Sequence, residues 1–203
     1  MTFPIISSLI LLPAIGSVFI LFSKSSTKTY QSSKYLALFI SISNLLLSLY
    51  LWHEFDSSKT DFQFVENKDW LYGLINYKVG IDGISILFIV LTTFITPICI
   101  VSVNNSIQKN LKDFLVAILI MESFMIGVFC SLDLVVFYLF FEAGLIPMFL
   151  IIGIWGGERR VYSAFKFFLY TLLGSVLMLV AIISIYWIAG TTDVEKLYEI
   201  GVD

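Results

Sequence analysis

The stretch LVVFYLFFEAGLIPMFLIIGIW, Leu134–Trp155, decides how the rest of the chain is read. In helix it is long enough to cross a hydrocarbon core about 30 Å thick, which takes about 20 apolar residues. One acid, Glu142, and one proline, Pro147, interrupt it. Working outward, Phe3–Phe22, Tyr35–Trp52, Ile84–Val103 and Phe167–Gly190 carry no charge, and Phe114–Ser131 carries only Glu122. The fold class that follows is an all-α polytopic membrane protein of about six transmembrane helices.

Composition agrees. Hydrophobic residues make up 59% of the chain and charged residues 13%, about half the charged share of a soluble domain. A net charge of −3 with scattered basic residues offers no basic stripe for phosphates, which sets nucleic acid aside as a partner. Cys99 and Cys130 both lie in apolar runs without Cys or His neighbours at ligand spacing, so they read as packing residues and no metal site is expected. The first segment follows Met1-Thr2-Phe3 directly, without the positive region or the cleavage site of a secretory signal, and is read as a retained helix.

Lysine and arginine counts in short loops set orientation. Lys24, Lys28 and Lys34, then Lys109 and Lys112, then Arg159, Arg160 and Lys166 follow the first, third and fifth helices. The opposite side has Lys59, Lys68 and Lys78 diluted among acids, and Lys196 in the tail. Both termini are expected on the outer side. The 53–83 segment, with Trp70, Tyr72 and Tyr77 among its acids, is expected to lie along the membrane interface, where amphipathic rings are favoured. His53, the only histidine, is expected at the surface. Residues 1–112 form an N-terminal membrane region of three helices plus this loop. Residues 113–203 supply three more.

Counted from the turn at Leu132-Asp133, Glu122 and Glu142 each lie about 14 Å into the membrane at 1.5 Å per residue. A carboxylate there is costly unless protonated, paired or hydrated, and marks a candidate ion or proton pathway by default. For Glu142 the neighbours strengthen that reading. Pro147 has no N–H and leaves the carbonyl of Ala143 without its helical donor. Ala143 and Gly144 are small enough for a pocket or a close helix approach, and Tyr138 stands one turn earlier as a secondary candidate. Glu122 lacks such surroundings, so its role in proton transfer stands beside an ordinary interhelical hydrogen bond as an equal alternative. No basic residue lies at this depth. A dinucleotide fingerprint, a P-loop and a cysteine cluster for iron–sulfur are also missing from the sequence, so no cofactor and no redox active site are expected in this chain.

The run Phe140-Phe141-Glu142-Ala143-Gly144-Leu145-Ile146-Pro147-Met148, continuing through Ile154-Trp155-Gly156-Gly157 to Phe167-Phe168-Leu169-Tyr170-Thr171-Leu172-Leu173-Gly174-Ser175, closely resembles chain M of NADH-quinone oxidoreductase, called subunit 4 in mitochondria. Val79-Gly80-Ile81-Asp82-Gly83-Ile84-Ser85 and Gly190-Thr191-Thr192-Asp193 fit the same family. The resemblance implies the front part of an antiporter-like subunit of respiratory complex I, coupling electron transfer from NADH to quinone with proton pumping. In that family the acid at Glu142 belongs to a half-channel and has a lysine partner on the helix following the sixth, beyond Asp203. Other membrane subunits of the complex, especially neighbouring antiporter-like ones, are the implied partners, with the lipid bilayer and protons. The implied location is a bacterial inner membrane, or alternatively the mitochondrial inner membrane. Alternatives are a subunit of a multisubunit cation/proton antiporter or membrane-bound hydrogenase, or a structural fragment that moves no protons.

Overall fold

A computed structural model describes residues 4–22, 27–70, 76–103 and 110–201. Six helices are long and apolar enough to cross a membrane: α1 (Ile5–Phe22), α2 (Thr27–Glu54), α3 (Ser85–Ser102), α4 (Leu111–Cys130), α5 (Leu134–Trp155) and α6 (Arg160–Ala189). A short α7 (Val194–Ile200) follows. The protein is a multi-pass membrane protein.

Three of these helices begin earlier than the apolar runs alone suggest. Charged side chains at a helix end reach the interface, so α2 includes Lys34, α4 includes Lys112, and α6 includes Arg160 and Lys166. Lys24, Lys109 and Tyr72 lie outside the described residues.

Helix α4 is the hub. It packs on α1, α2, α3 and α5, and 56% of its span is buried, against 11% for α6, which rests on α5. Between α4 and α5 the close approach falls at Gly127, where a Cβ would come 2.5 Å from the Phe140 ring. Buried aliphatics fill the two ends of the bundle: Ile6, Leu9, Ile86, Ile89 and Ile126 towards the α4–α5 turn, and Ile20, Ile40, Ile100, Leu115 and Leu119 towards the other end. Helix α2 turns inward a stripe of small and polar side chains, Ser33, Ala37, Ser41, Asn44 and Ser48, all buried. Small residues let helices approach closely in lipid, where no hydrophobic force drives them together.

The 53–83 segment, expected from sequence to lie along the membrane interface, contains an antiparallel hairpin of β1 (Gln63–Asp69) and β2 (Asn76–Ile81), which the sequence reading did not foresee. Glu66 pairs with Val79 and Lys68 with Tyr77, and the register is irregular between Gln63 and Glu66, where Phe64 has φ 54°. Such an irregularity bends a strand. The bend accompanies a hairpin that lies over the ends of α1 and α4. The Glu66 carboxylate accepts from the N–H of Ile6 at 2.9 Å and from the Ser7 hydroxyl, satisfying donors that the start of α1 leaves open and placing an anion at its positive end. Burial, with the Glu66 charge adding to it and the Ser7 hydroxyl opposing it, raises the Tyr77 phenol above its ordinary pKa. Because the Ser7 hydroxyl hydrogen goes to Glu66, the Tyr77 hydroxyl 3.3 Å away is left to donate to the Ser7 oxygen.

The hairpin is fastened to the rest by a clasp. Leu132 N–H donates to Lys78 O, Leu134 N–H to Thr192 O, and Val194 N–H to Leu132 O, each at 2.9 Å. Asp133 caps α5 through Val135 N–H at 2.9 Å and accepts from the Thr192 hydroxyl at 2.7 Å. At its centre Lys78, only 6% exposed, donates to both oxygens of Asp193 at 2.8 Å and to Glu195. Lys78 is thus not the diluted surface charge that its polar neighbourhood suggests, because two acids far along the chain replace its water. Burial alone would lower its pKa, but the hydrogen bonds and charges of Asp193 and Glu195 outweigh that and hold it above the ordinary 10.5. His53, by contrast, is exposed and lies 3.7 Å from Glu54.

Replacing Lys78 by Met strands two acids, and breaking such a buried pair costs about 3 kcal/mol; the melting temperature in detergent should drop, while Lys59→Met, at an exposed site, leaves it unchanged. The folded pKa is the higher one, so the stabilisation is complete below pH 10.5 and disappears as pH rises through the raised value. Thermal melts across alkaline pH, with Lys78→Met as the reference, measure this. Gly127→Ala should cost about 1–3 kcal/mol through overpacking on Phe140, whereas Gly174→Ala, with nothing within 4 Å, is neutral in the same melt.

Candidate functional site

Helices α4 and α5 run antiparallel from the 131–133 turn. Gly127 lies against Phe140, and Gly144 opposite Phe124 with 3.9 Å for an added Cβ. This register sets Glu122 level with Leu145, within about one helical turn of Glu142. Depth is therefore similar, yet the two carboxylates face apart. In helical projection Phe149 and Gly153 return to within about 20° of Glu142, and both are contacts to α6: Phe149 sits 5.4 Å ring to ring from Phe165 and from Phe168, and a Cβ on Gly153 would be 3.5 Å from that of Ala164. The α4-facing residues Phe140, Ala143 and Pro147 lie on average about 130° away around the same helix.

Glu142 is half-buried, and its Oε2 is enclosed without any hydrogen-bond partner. Tyr138 shares its stripe and is half-buried, but does not satisfy that oxygen. Phe149 stands against Phe168. Seven residues back along α5 and seven forward along α6, the same register places Ser175 opposite Glu142. Ser175 is 3% exposed and donates its hydroxyl hydrogen to Leu172 O at 3.0 Å, which leaves its oxygen lone pairs to accept from a protonated acid. Ser175 did not emerge from sequence reasoning; it is one of several hydroxyls on α6, with Ser163, Thr171 and Ser184, and no local signal sets it apart.

Pro147 is buried and α5 continues through it as one helix. The missing N–H still removes the donor for Ala143 O. Ala143 borders a cavity of about 600 Å³ between α4, α5 and the hairpin, walled by Phe124, Val136, Leu139 and Phe140 and reached by Lys68 and Trp70. Its walls are mainly apolar, so the small residue at 143 opens onto space without a polar lining.

Glu122 is 2% exposed on the opposite side of α4. Its Oε1 accepts from Asn44 Nδ2 on α2 at 2.9 Å, while Glu122 Oε2 and Asn44 Oδ1 are buried without partners. Asn44 also escaped sequence reasoning, although it is the one amide in Tyr35–Trp52 and falls in step with Ser41 and Ser48. The structure thus does not bring the sequence-predicted acids together. Nor, among the described residues, is a cation paired with either: Arg160 donates to Ile154 O at 2.7 Å at the end of α5, and Lys166 is exposed.

Two family profiles match the chain: residues 60–128 match "NADH-ubiquinone oxidoreductase chain 4, amino terminus", and residues 131–202 match "NADH:quinone oxidoreductase/Mrp antiporter, TM". NADH-quinone oxidoreductase subunit M of Rhodobacter capsulatus is 56% identical over 82% of this chain and 32% of its own length. NADH-ubiquinone oxidoreductase chain 4 of Marchantia polymorpha is 48% identical over 95% of this chain and 39% of its own. A chain in the structure of respiratory complex I from Thermus thermophilus with bound NADH superposes with a TM-score of 0.80 at 28% identity, covering 95% of this chain and 38% of that one. The chain therefore spans about a third to two fifths of the relatives it matches. On these matches, which run from the hairpin through α7, the chain belongs to the family of NADH-quinone oxidoreductase subunit M, also named chain 4, and folds as antiporter-like membrane helices of that family.

Proposed function

We propose that this chain forms part of a proton-translocating membrane subunit of a respiratory NADH-quinone oxidoreductase, with Glu142 as the carboxyl that takes up and releases the proton. The observation that carries this reading is the enclosed, unpartnered Oε2 of Glu142 on a proline-containing span. The unpartnered oxygen offers a place for a proton, and a cation brought beside a carboxyl pairs with its ionised form. A charge moved close to Glu142 by the working complex would therefore drive proton release, and its withdrawal would drive uptake. Ser175 supplies an acceptor for the protonated state, and the freed carbonyl of Ala143 a second polar atom on the same helix.

The partner cation is a lysine contributed by sequence beyond residue 203, as the resemblance implies. Oxidation of NADH and reduction of quinone belong to other subunits, and this chain binds no redox cofactor. Its neighbours are the other antiporter-like membrane subunits, in a bacterial or mitochondrial inner membrane, with both termini of this chain on the outer side. Residues 1–112 support the bundle and residues 113–203 begin the translocating part. Tyr138 and Glu122 stand as secondary sites. A cation/proton antiporter subunit is the second reading, favoured by the description shared between the two protein classes in the profile that matches residues 131–202.

In the complete subunit within its assembled complex, Glu142→Gln should lower proton pumping and coupled quinone reduction about 100-fold or more, within the range that a positioned proton-transfer group supplies. Assembly should be unchanged. Pumping measured in membrane vesicles at the wild-type rate and stoichiometry would sink the assignment. Pro147→Ala restores the missing N–H, and the same assay should show partial loss of pumping with the helix intact by circular dichroism. Sodium-dependent proton exchange without quinone reduction would favour the second reading.

A further inference from the structure

The carboxyl that faces away from Glu142 poses a separate chemical question. Glu122 and Asn44 lie at the meeting of α4 with α2, at 2% and 0% exposure, and make one hydrogen bond, from Asn44 Nδ2 to Glu122 Oε1, at 2.9 Å. Two acceptors are left over, Glu122 Oε2 and Asn44 Oδ1, both buried and without donors. Each is bonded to the same carbon as an atom of the existing bond. An ionised carboxylate has only lone pairs to offer, as does an amide oxygen, so an ionised Glu122 would leave both atoms unsatisfied beside an unpaired charge. Buried charges of that kind are rare without a partner.

We propose that Glu122 and Asn44 form a proton-binding site in which the carboxyl is protonated, Oε2–H donating to Asn44 Oδ1 while Asn44 Nδ2–H donates to Oε1. A single proton then satisfies both orphaned atoms and closes an acid–amide ring that ties α2 to α4.

The surroundings supply no competing cation among the described residues. On α2, Lys34, His53 and Glu54 stand at the ends, about 15 Å from Asn44 along the axis, with Tyr35 and Tyr50 beside them. On α4, Lys112 and Asp113 are about as far from Glu122. Helix α1 offers no titratable side chain and α3 only Cys99. On α5, Tyr138 and Glu142 lie on the stripe that faces α6. A cavity of about 350 Å³ reaches Glu122 between α3, α4 and α5, with Thr92 and Thr96 along one wall and Met121 and Met148 along others. It gives a small molecule access to the carboxyl. The site is independent of Glu142: each can stand if the other fails.

The test uses the complete subunit in its complex, in membrane vesicles. The infrared difference spectrum between wild type and Glu122→Gln at neutral pH should contain a protonated-carboxyl C=O band that the variant loses, and Asn44→Leu should shift that band upward as its hydrogen bond is lost. Gln can still form the ring as an amide pair, so Glu122→Gln should melt like wild type, and Glu122→Leu should not. A spectrum with no lost band, or with one that appears only on acidification, overturns the proposal. So does a band that sodium removes, which would make the site a cation site. If Glu122→Gln fails to assemble, the wild type decides: dicyclohexylcarbodiimide, which reacts with protonated carboxyls in apolar surroundings, should modify the Glu122 peptide at neutral pH. An unmodified Glu122 under conditions that modify Glu142 would overturn the proposal too.

Discussion

The buried Lys78 ammonium, gripped by Asp193 and Glu195, is the interaction on which the arrangement depends. The ammonium joins the hairpin between α2 and α3 to the segment that follows α6, and the backbone carbonyl of the same residue accepts from Leu132 N–H in the turn between α4 and α5. Membrane helices gain little from apolar contact with each other, because lipid tails serve as well as neighbouring side chains. Their relative placement must come from close packing and from polar ties at the ends. The clasp is such a tie, and its backbone bonds through Leu132, Leu134 and Val194 make the hairpin end of the bundle a continuous hydrogen-bonded unit. Asp133 and Asp193 serve twice, capping α5 and α7 while accepting from Thr192 and Lys78.

That fixed end aligns α5 beside α4 and α6 beside α5. The alignment decides which way each intramembrane acid points. Glu142 turns to the α5–α6 seam, where Ser175 is level with it, and Glu122 turns to α2, where Asn44 meets it at 2.9 Å. The two acids are near one depth and serve two different seams. The first seam holds the half-buried Glu142 beside a sparsely buried α6. The second seam is tied by the buried Asn44–Glu122 hydrogen bond and bordered by the cavity that reaches Glu122.

Much of this was legible in the sequence because it is local. Apolar run length fixes the six spans. Glu142 and Pro147 lie five residues apart on one helix, so their chemistry needs no knowledge of the fold. The start of α3 was likewise written locally: Asp82 accepts from Ser85 N–H at 2.7 Å, and although burial opposes it, the Ser85 hydrogen bonds hold the Asp82 pKa below its ordinary 3.8.

What only the tertiary structure decided depends on pairs far apart in the chain. Lys78 meets Asp193 across 115 residues and Asn44 meets Glu122 across 78. No spacing rule reaches that far. The 53–83 segment shows the same limit, since β-pairing is a relation between two strands and its mixed charges give neither strand a clean alternation. Hydropathy gave the depth of each acid, because depth depends only on position along a helix. The direction each acid faces depends on which helix packs against it, and that was settled by the close approach at Gly127, the rings around Phe149 and the clasp at Lys78.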